Sequence, residues 1–182
     1  MVFTGTYEHT IDTKSRVAIP SDVRALLESP RRKQGGHSLV GSGESDAKGA
    51  ADDSSDDSSP GVFLYVTLGE GDSLCLYTEE VFEQRARELD SSELDPDELL
   101  MFERMMFSLA RRVEMDKAGR LRLPEHLLKM VKLGTDVVLL GVKDHLEIRD
   151  RAAWNEQVQR ELTNRPGLVA NPRKFMRKQS GS

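Results

Sequence analysis

With one cysteine, Cys75, the chain cannot form an internal disulfide, and a single thiol suits a reducing compartment. No run of 18 apolar residues occurs, so no membrane-spanning helix is expected. The opening "MVFTGTYEHT" has neither a basic n-region nor an apolar stretch, which predicts no signal peptide and a cytoplasmic location. A Gly-rich phosphate loop, a zinc spacing and a Ser-containing nucleophile elbow are all missing. The histidines, His9, His37, His126 and His145, show no ligand spacing, and Cys75 has no sequence-evident His partner. "DDSSDD" lacks the central Gly and terminal Glu of a calcium loop. No catalytic residue, metal, cofactor, membrane or small-molecule substrate is therefore expected, and the chain does not read as an enzyme.

Apolar residues make up 37% and charged residues 31%, so the chain reads as soluble with one part too polar to pack. Its net charge of −5 argues against a generic polyanion binder. From Leu162 to Ser182, however, Arg165, Arg173, Lys174, Arg177 and Lys178 occur with no acid, which predicts a basic, disordered tail over 164–182. Any nucleic-acid contact by the acidic remainder must come from a local basic patch.

The chain writes one short pattern twice. "IDTKSRVAIP" at 11–20 and "MDKAGRLRLP" at 115–124 share Asp, Arg and Pro at the same spacing. A displacement of 104 residues carries Asp12 onto Asp116, Arg16 onto Arg120 and Pro20 onto Pro124, with Val17 meeting Leu121 and Ile19 meeting Leu123. From Tyr65 onward a displacement of 72 fits instead, carrying Gly69 onto Gly141, Leu74 onto Leu146 and Phe82 onto Trp154. The difference locates an insert in the first copy. Residues 30–61 are rich in Gly, Ser and Asp and too poor in large apolar side chains to offset ordering entropy, so a disordered loop is expected there.

Each copy alternates apolar and polar residues on both sides of a short polar stretch, which predicts a β-hairpin around an Asp-x-x-x-Arg loop. Asp12 and Asp116 are expected to structure these loops, each paired with its Arg, while Ser15 and Gly119 stand where a left-handed conformation is needed. His9 falls on the core side of its strand. Pro20 and Pro124 suit the first turn of a short amphipathic helix, with Gly134 as the second helix's stop. Two more strands follow, then a helix capped by Thr78 or by Asp150. Between the copies, "DPDELLMFERMMFSLARR" has an Asp95 cap, Pro96 at the first helical position and apolar residues nearly all round, which predicts a helix buried within the protomer or against a neighbour.

The repeated strand–Asp-x-x-x-Arg–strand–Pro–helix unit resembles the SpoVT/AbrB-like DNA-binding domains. Two such units joined by a helix resemble the MraZ family of bacterial regulators, on "YEHTIDTKSRVAIP", "ARRVEMDKAGRLRLPEHL" and "DVVLLGVKDHLEIRD". The resemblance implies an α+β, β-rich fold: two tandem swapped-hairpin units forming a pseudo-two-fold barrel with peripheral helices. The first unit would take 1–29 and 62–90, the connecting helix 91–110 and the second unit 111–163. It further implies a repressor of its own division and cell-wall gene cluster that binds promoter direct repeats in double-stranded DNA as a homo-oligomeric ring, in the cytoplasm and on the nucleoid. Arg16 would be a principal DNA contact, with Lys14 on phosphate; in the second loop Lys117 and Arg120 are further candidates for DNA contact, or that loop serves folding and assembly. Ser15 departs from the Gly usual in the family. Arg24 is a further candidate for phosphate, and Arg122 reads as a surface charge. The competing expectation is a non-catalytic scaffold or toxin-neutralising protein of the same fold.

Overall fold

The computed structural model describes residues 1–29, 61–89, 95–165 and 167. The expected insert therefore lies outside the described residues except for Gly61, and so does the expected tail beyond Arg165 and Gly167. The order is β1 (Thr6–Thr10), β2 (Arg16–Ala18), α1 (Ser21–Glu28), β3 (Phe63–Leu68), β4 (Ser73–Thr78), α2 (Glu79–Leu89), α3 (Pro96–Leu109), β5 (Arg111–Glu114), β6 (Arg120–Arg122), α4 (Glu125–Leu128), β7 (Asp136–Val142), β8 (His145–Asp150) and α5 (Arg151–Asn164). Asn164 thus ends a helix rather than opening a tail.

The architecture is α+β, with a six-stranded antiparallel sheet, β1-β7-β8-β4-β3-β5, and a two-stranded ribbon, β2-β6. The described strands form no closed barrel. Exchanging each strand for its counterpart in the other copy makes the sheet order read the same from either end. At its centre β4 pairs with β8, its own counterpart.

The local hairpins expected from alternation form at their turns, closed by Asp12 N–H to Arg16 O and Asp116 N–H to Arg120 O with an antiparallel bridge of Met115 to Leu121, but the named strands take their ladders elsewhere. β1 pairs with β7, β5 with β3, and β2 with β6, so each leading strand of one copy is held by the other. Alternation fixes which side chains face the core but not which strand lies alongside. The crossed pairing seats Val17 opposite Leu121, both fully buried. With Ile19, Val23, Leu123 and Leu127 they join Leu64, Leu74, Leu139 and Ile148 in one core. Burying each such side chain contributes about 1.5–3 kcal/mol.

Several helix ends follow the sequence. Asp95 caps α3 by accepting from Asp97 N–H at 3.0 Å, with Pro96 next. Asp150 caps α5 by accepting from Ala153 N–H at 2.9 Å. Thr78 ends β4, and its Oγ1 lies 3.4 Å from Val81 N–H. Gly134 is not the stop of α4, which ends at Leu128 and continues only as a turn. Pro20 and Pro124 sit just outside α1 and α4 at the cap position.

Of the two places expected for α3, burial within the protomer is not what the structure shows. Its side chains include no buried residue, and Leu100, Met101, Phe102, Met105 and Phe107 are all exposed. The helix packs on the sheet's second face, where Met106 meets the small cluster of Cys75, Tyr77 and Phe82. A helix apolar all round has more apolar surface than one neighbouring sheet can cover.

Because Val17 and Leu121 face each other, truncating both enlarges one shared space. Each single Ala variant is expected to lower unfolding free energy, Leu121→Ala by about 2–5 kcal/mol. The double variant should fall short of the sum by at least about 0.5 kcal/mol in urea unfolding. Strict additivity would show that the two strands do not share a core.

Candidate nucleic-acid interface

The two Asp-x-x-x-Arg loops are built identically from one carboxylate each. Asp12 Oδ1 accepts the backbone N–H groups of Lys14 and Arg16, both at 2.9 Å. Its Oδ2 faces Arg16 Nε at 2.8 Å and Nη2 at 2.7 Å. In the second loop Asp116 Oδ1 accepts from Ala118 and Arg120 N–H at 2.9 Å, and Oδ2 meets Arg120 Nε and Nη2, again at 2.9 Å. Backbone bonds close both turns, from Ser15 N–H to Asp12 O and from Gly119 N–H to Asp116 O. A carboxylate with four short contacts can hold both backbone and guanidinium in one geometry.

The turn needs one residue at positive φ. Gly119 takes +73° and Ser15 takes +59°. Ser15 therefore adopts the same conformation as glycine, at the steric cost that a Cβ brings there. In the second loop glycine has a further reason, since a Cβ on Gly119 would stand 2.4 Å from Arg24 Cδ. Arg24, from α1, lies across that loop with its Nε buried and lacking a hydrogen-bond partner.

The loops are tied to each other across the copies. Leu123 N–H donates to Ser15 O and Ile19 N–H donates to Gly119 O, both at 2.8 Å. In the ribbon, Arg16 stands opposite Arg122 and Ala18 opposite Arg120, while Val17 and Leu121 point inward. Arg16, Arg120 and Arg122 therefore share the ribbon's outward face. Arg122 is 3.6 Å from Glu125 in an exposed pair. Lys14 and Lys117 are exposed on the loops themselves.

The acids respond to these contacts. The side-chain bond from Arg16, then that residue's backbone N–H, hold Asp12 down at about 2, against an ordinary value of 3.8. The Arg120 backbone N–H and then its side chain hold Asp116 below its ordinary value. On β1, His9 is half-buried and lowered by burial.

Sequence reasoning did not find the tie between the loops, because its two bonds join residues about a hundred positions apart. Nor did it find a cluster on the sheet's second face, where Cys75, His145 and Glu147 meet.

A depressed acid stabilises the folded loop above its unfolded value and loses that contribution as pH falls through the folded value. The Asp12 carboxyl resonance is therefore expected to titrate near 2, and to move up toward 3.8 in Arg16→Ala. An ordinary midpoint in the unsubstituted chain would show that Arg16 does not hold Asp12 in solution.

Residues 106–166 match a protein-family model described as "MraZ protein, putative antitoxin-like". The chain is 29% identical over 156 residues to a transcriptional regulator MraZ of Mesoplasma florum, covering 85% of this chain and 84% of the relative. It is also 29% identical over 153 residues to the protein of that name in Roseiflexus castenholzii, covering 84% of each. These matches reach well beyond the two loop motifs: over most of its length the chain is similar to proteins named as MraZ regulators, and the doubled Asp-x-x-x-Arg–Pro arrangement agrees with that likeness.

Proposed function

We propose that the chain is a sequence-specific DNA-binding transcriptional regulator that reads double-stranded DNA through the outward face of the β2-β6 ribbon and its two loops. The observation that carries this is the placement of Arg16, Arg120 and Arg122 on one face of a two-stranded ribbon, an element that fits the B-DNA major groove. The relatives' names add support. They name regulators and no enzyme, and this chain is not an enzyme.

The division of labour within a loop follows from donor geometry. A guanidinium has five N–H donors. Asp12 engages Nε and Nη2 of Arg16 from the side. The end-on edge formed by Nη1 and Nη2 can then present a fork to guanine O6 and N7. Asp12 thus supports a reading arginine instead of cancelling it. Lys14, Lys117 and Arg24 set position on phosphate, and Arg120 repeats the contact in the second loop.

The finer fold reading is two tandem AbrB-like swapped-hairpin units related by a pseudo-two-fold axis. The palindromic strand order and the crossed pairings support it. One pair of loops is a small footprint, so tight binding calls for a homo-oligomeric ring meeting direct repeats upstream of the division and cell-wall genes, its own included, as a repressor. The uncovered apolar side chains of α3 support burial between copies. Among the described residues no helix is long and apolar enough to cross a membrane, and a regulator of this kind works in the cytoplasm, on the nucleoid.

Two experiments follow. In a gel shift at about 150 mM salt, where non-specific contacts are suppressed, the fragment upstream of the chain's own gene should be retarded in preference to unrelated DNA. Arg16→Ala should weaken that selective binding about ten- to a hundredfold. Equal retardation of both fragments would move the weight to a scaffold or toxin-neutralising role, a reading that the family description's word "antitoxin-like" favours. Separately, the double variant Met101→Glu with Met105→Glu should shift the mass in sedimentation equilibrium from an assembly to one chain. An unchanged mass would exclude α3 as the contact between copies.

A further inference from the structure

The sheet's second face carries a cluster that DNA binding does not use. Cys75 on β4 and Glu147 on β8 are directly paired across the strands. His145, two residues before Glu147, projects from the same face. One donor atom from each of the three lies within 4.8 Å of the others. Cys75 is buried, and the side chains of His145 and Glu147 are only 12% and 17% exposed.

The surrounding contacts orient all three donors. His145 Nδ1 is 2.8 Å from Asp144 Oδ1, and Nε2 faces Glu147 Oε1 at 3.4 Å. Both ring nitrogens therefore face carboxylates, and with Nδ1–H donating to Asp144 it is Nε2 that would give up its proton to a metal ion. This carboxylate–imidazole arrangement is the outer support that metal-bound histidines commonly have. Arg149 Nε holds the second oxygen of Glu147 at 2.7 Å, and Arg85 Nη2 holds the second oxygen of Asp144 at 2.8 Å. Gly69 leaves room beside the buried sulfur, since a Cβ there would stand 2.8 Å from Cys75 Sγ.

We propose that Cys75, His145 and Glu147 bind one divalent transition-metal ion of the zinc class. Thiolate, imidazole and carboxylate together match the borderline-soft preference of Zn²⁺, and three protein donors leave a fourth tetrahedral position for water. Their two negative charges balance the ion. Tetrahedral zinc with bonds near 2.0–2.3 Å needs donors about 3.3–3.8 Å apart. Ligation therefore requires the side chains to draw in from the 4.8 Å span, by rotations that leave the strands in place. The competing occupant is a proton, because contact with Cys75 and then Glu147 pushes His145 up to about 10.

The position suggests what the ion does. Under the 72-residue displacement Cys75 is the counterpart of Glu147, so the two ligands come from equivalent places in the two copies. A bound ion would clamp β4 to β8 at the sheet's centre, stabilising the folded chain by mass action. It lies away from the ribbon, and the proposal stands independently of DNA recognition.

The test uses the full chain, purified reduced, stripped with chelator and titrated with Co²⁺ and then Zn²⁺. Expected are one ion per chain, a thiolate-to-cobalt charge-transfer band in the near ultraviolet that zinc abolishes, and a rise in unfolding temperature with zinc. Cys75→Ser and Glu147→Gln should each bind more weakly, with the band lost in the first. Asp144→Asn, which touches no metal, should weaken affinity about ten- to a hundredfold. Absence of the band from the unsubstituted chain overturns the proposal without any variant having to fold. Zinc affinity unaffected in Glu147→Gln and Asp144→Asn would place the ion elsewhere and overturn it equally. In either case the cluster is a hydrogen-bonded ion network only.

Discussion

Two backbone hydrogen bonds, Leu123 N–H to Ser15 O and Ile19 N–H to Gly119 O, join the copies where each chain segment leaves its loop. Neither copy alone could satisfy these groups. Between them lies the three-residue pairing of β2 with β6, which would be marginal without the buried Val17 and Leu121 beneath it. The tie fixes where both loops sit, and it commits β1 and β5 to opposite ends of the large sheet. Arg151 reinforces one end by bridging Glu8 of β1 at 3.1 Å and Asp136 of β7 at 2.9 Å. Arg112 reinforces the other, bonded to Glu79 at 2.7 Å and lying 3.4 Å over the Phe63 ring. Both edge strands are thus anchored through charged side chains on elements outside their own ladder.

The loop geometry was the most legible part of the sequence, because an Asp followed four residues later by Arg uses only local contacts. The positive φ at Ser15 and Gly119 follows from the same turn chemistry. Helix caps at Asp95 and Asp150 were legible for the same reason. Strand partners were not. Tyr7 and His9 alternate correctly for a half-buried strand, yet nothing in that alternation says that β7 lies alongside rather than β2. α3 was legible only as a helix with two possible covers, its own chain or a neighbour, and the first is not used. Its composition records how much apolar surface the helix carries, whereas burial depends on how many neighbours reach it. The Cys75, His145 and Glu147 cluster was invisible for a third reason. Its members stand in different copies, and their meeting depends on the β4-β8 pairing.

The same pairing explains why the sheet has two unlike faces. Leu74, Leu76, Leu146 and Ile148 point into the shared core, so the alternate residues Cys75, Tyr77, His145 and Glu147 must point away from it. On that second side Tyr65 stacks on Phe82 at 4.2 Å, and Tyr77 lies 5.0 Å from His145. A charged network can persist there because Arg85 and Arg149 supply counter-charges to Asp144 and Glu147. The centre of the core face, with no such partners, is built from apolar side chains.

A chain with net charge −5 can approach a polyanion only through a region whose local sign is reversed. Segments 12–24 and 116–125 meet that condition. They hold Lys14, Arg16, Arg24, Lys117, Arg120 and Arg122 against Asp12, Asp22, Asp116 and Glu125. Acids elsewhere matter little at contact range, since the Debye length at physiological salt is about 8 Å. Two of the four local acids have a positional task, because Asp12 and Asp116 each fix a guanidinium against the loop that carries it. An unsupported arginine would lose about 2 kcal/mol of rotamer entropy on docking. One already held by its own loop has lost much of that freedom on folding. Under the proposed DNA-binding reading, the acid lowers the patch's net charge but raises the order of the guanidinium groups, and specificity would depend on the second effect more than the first.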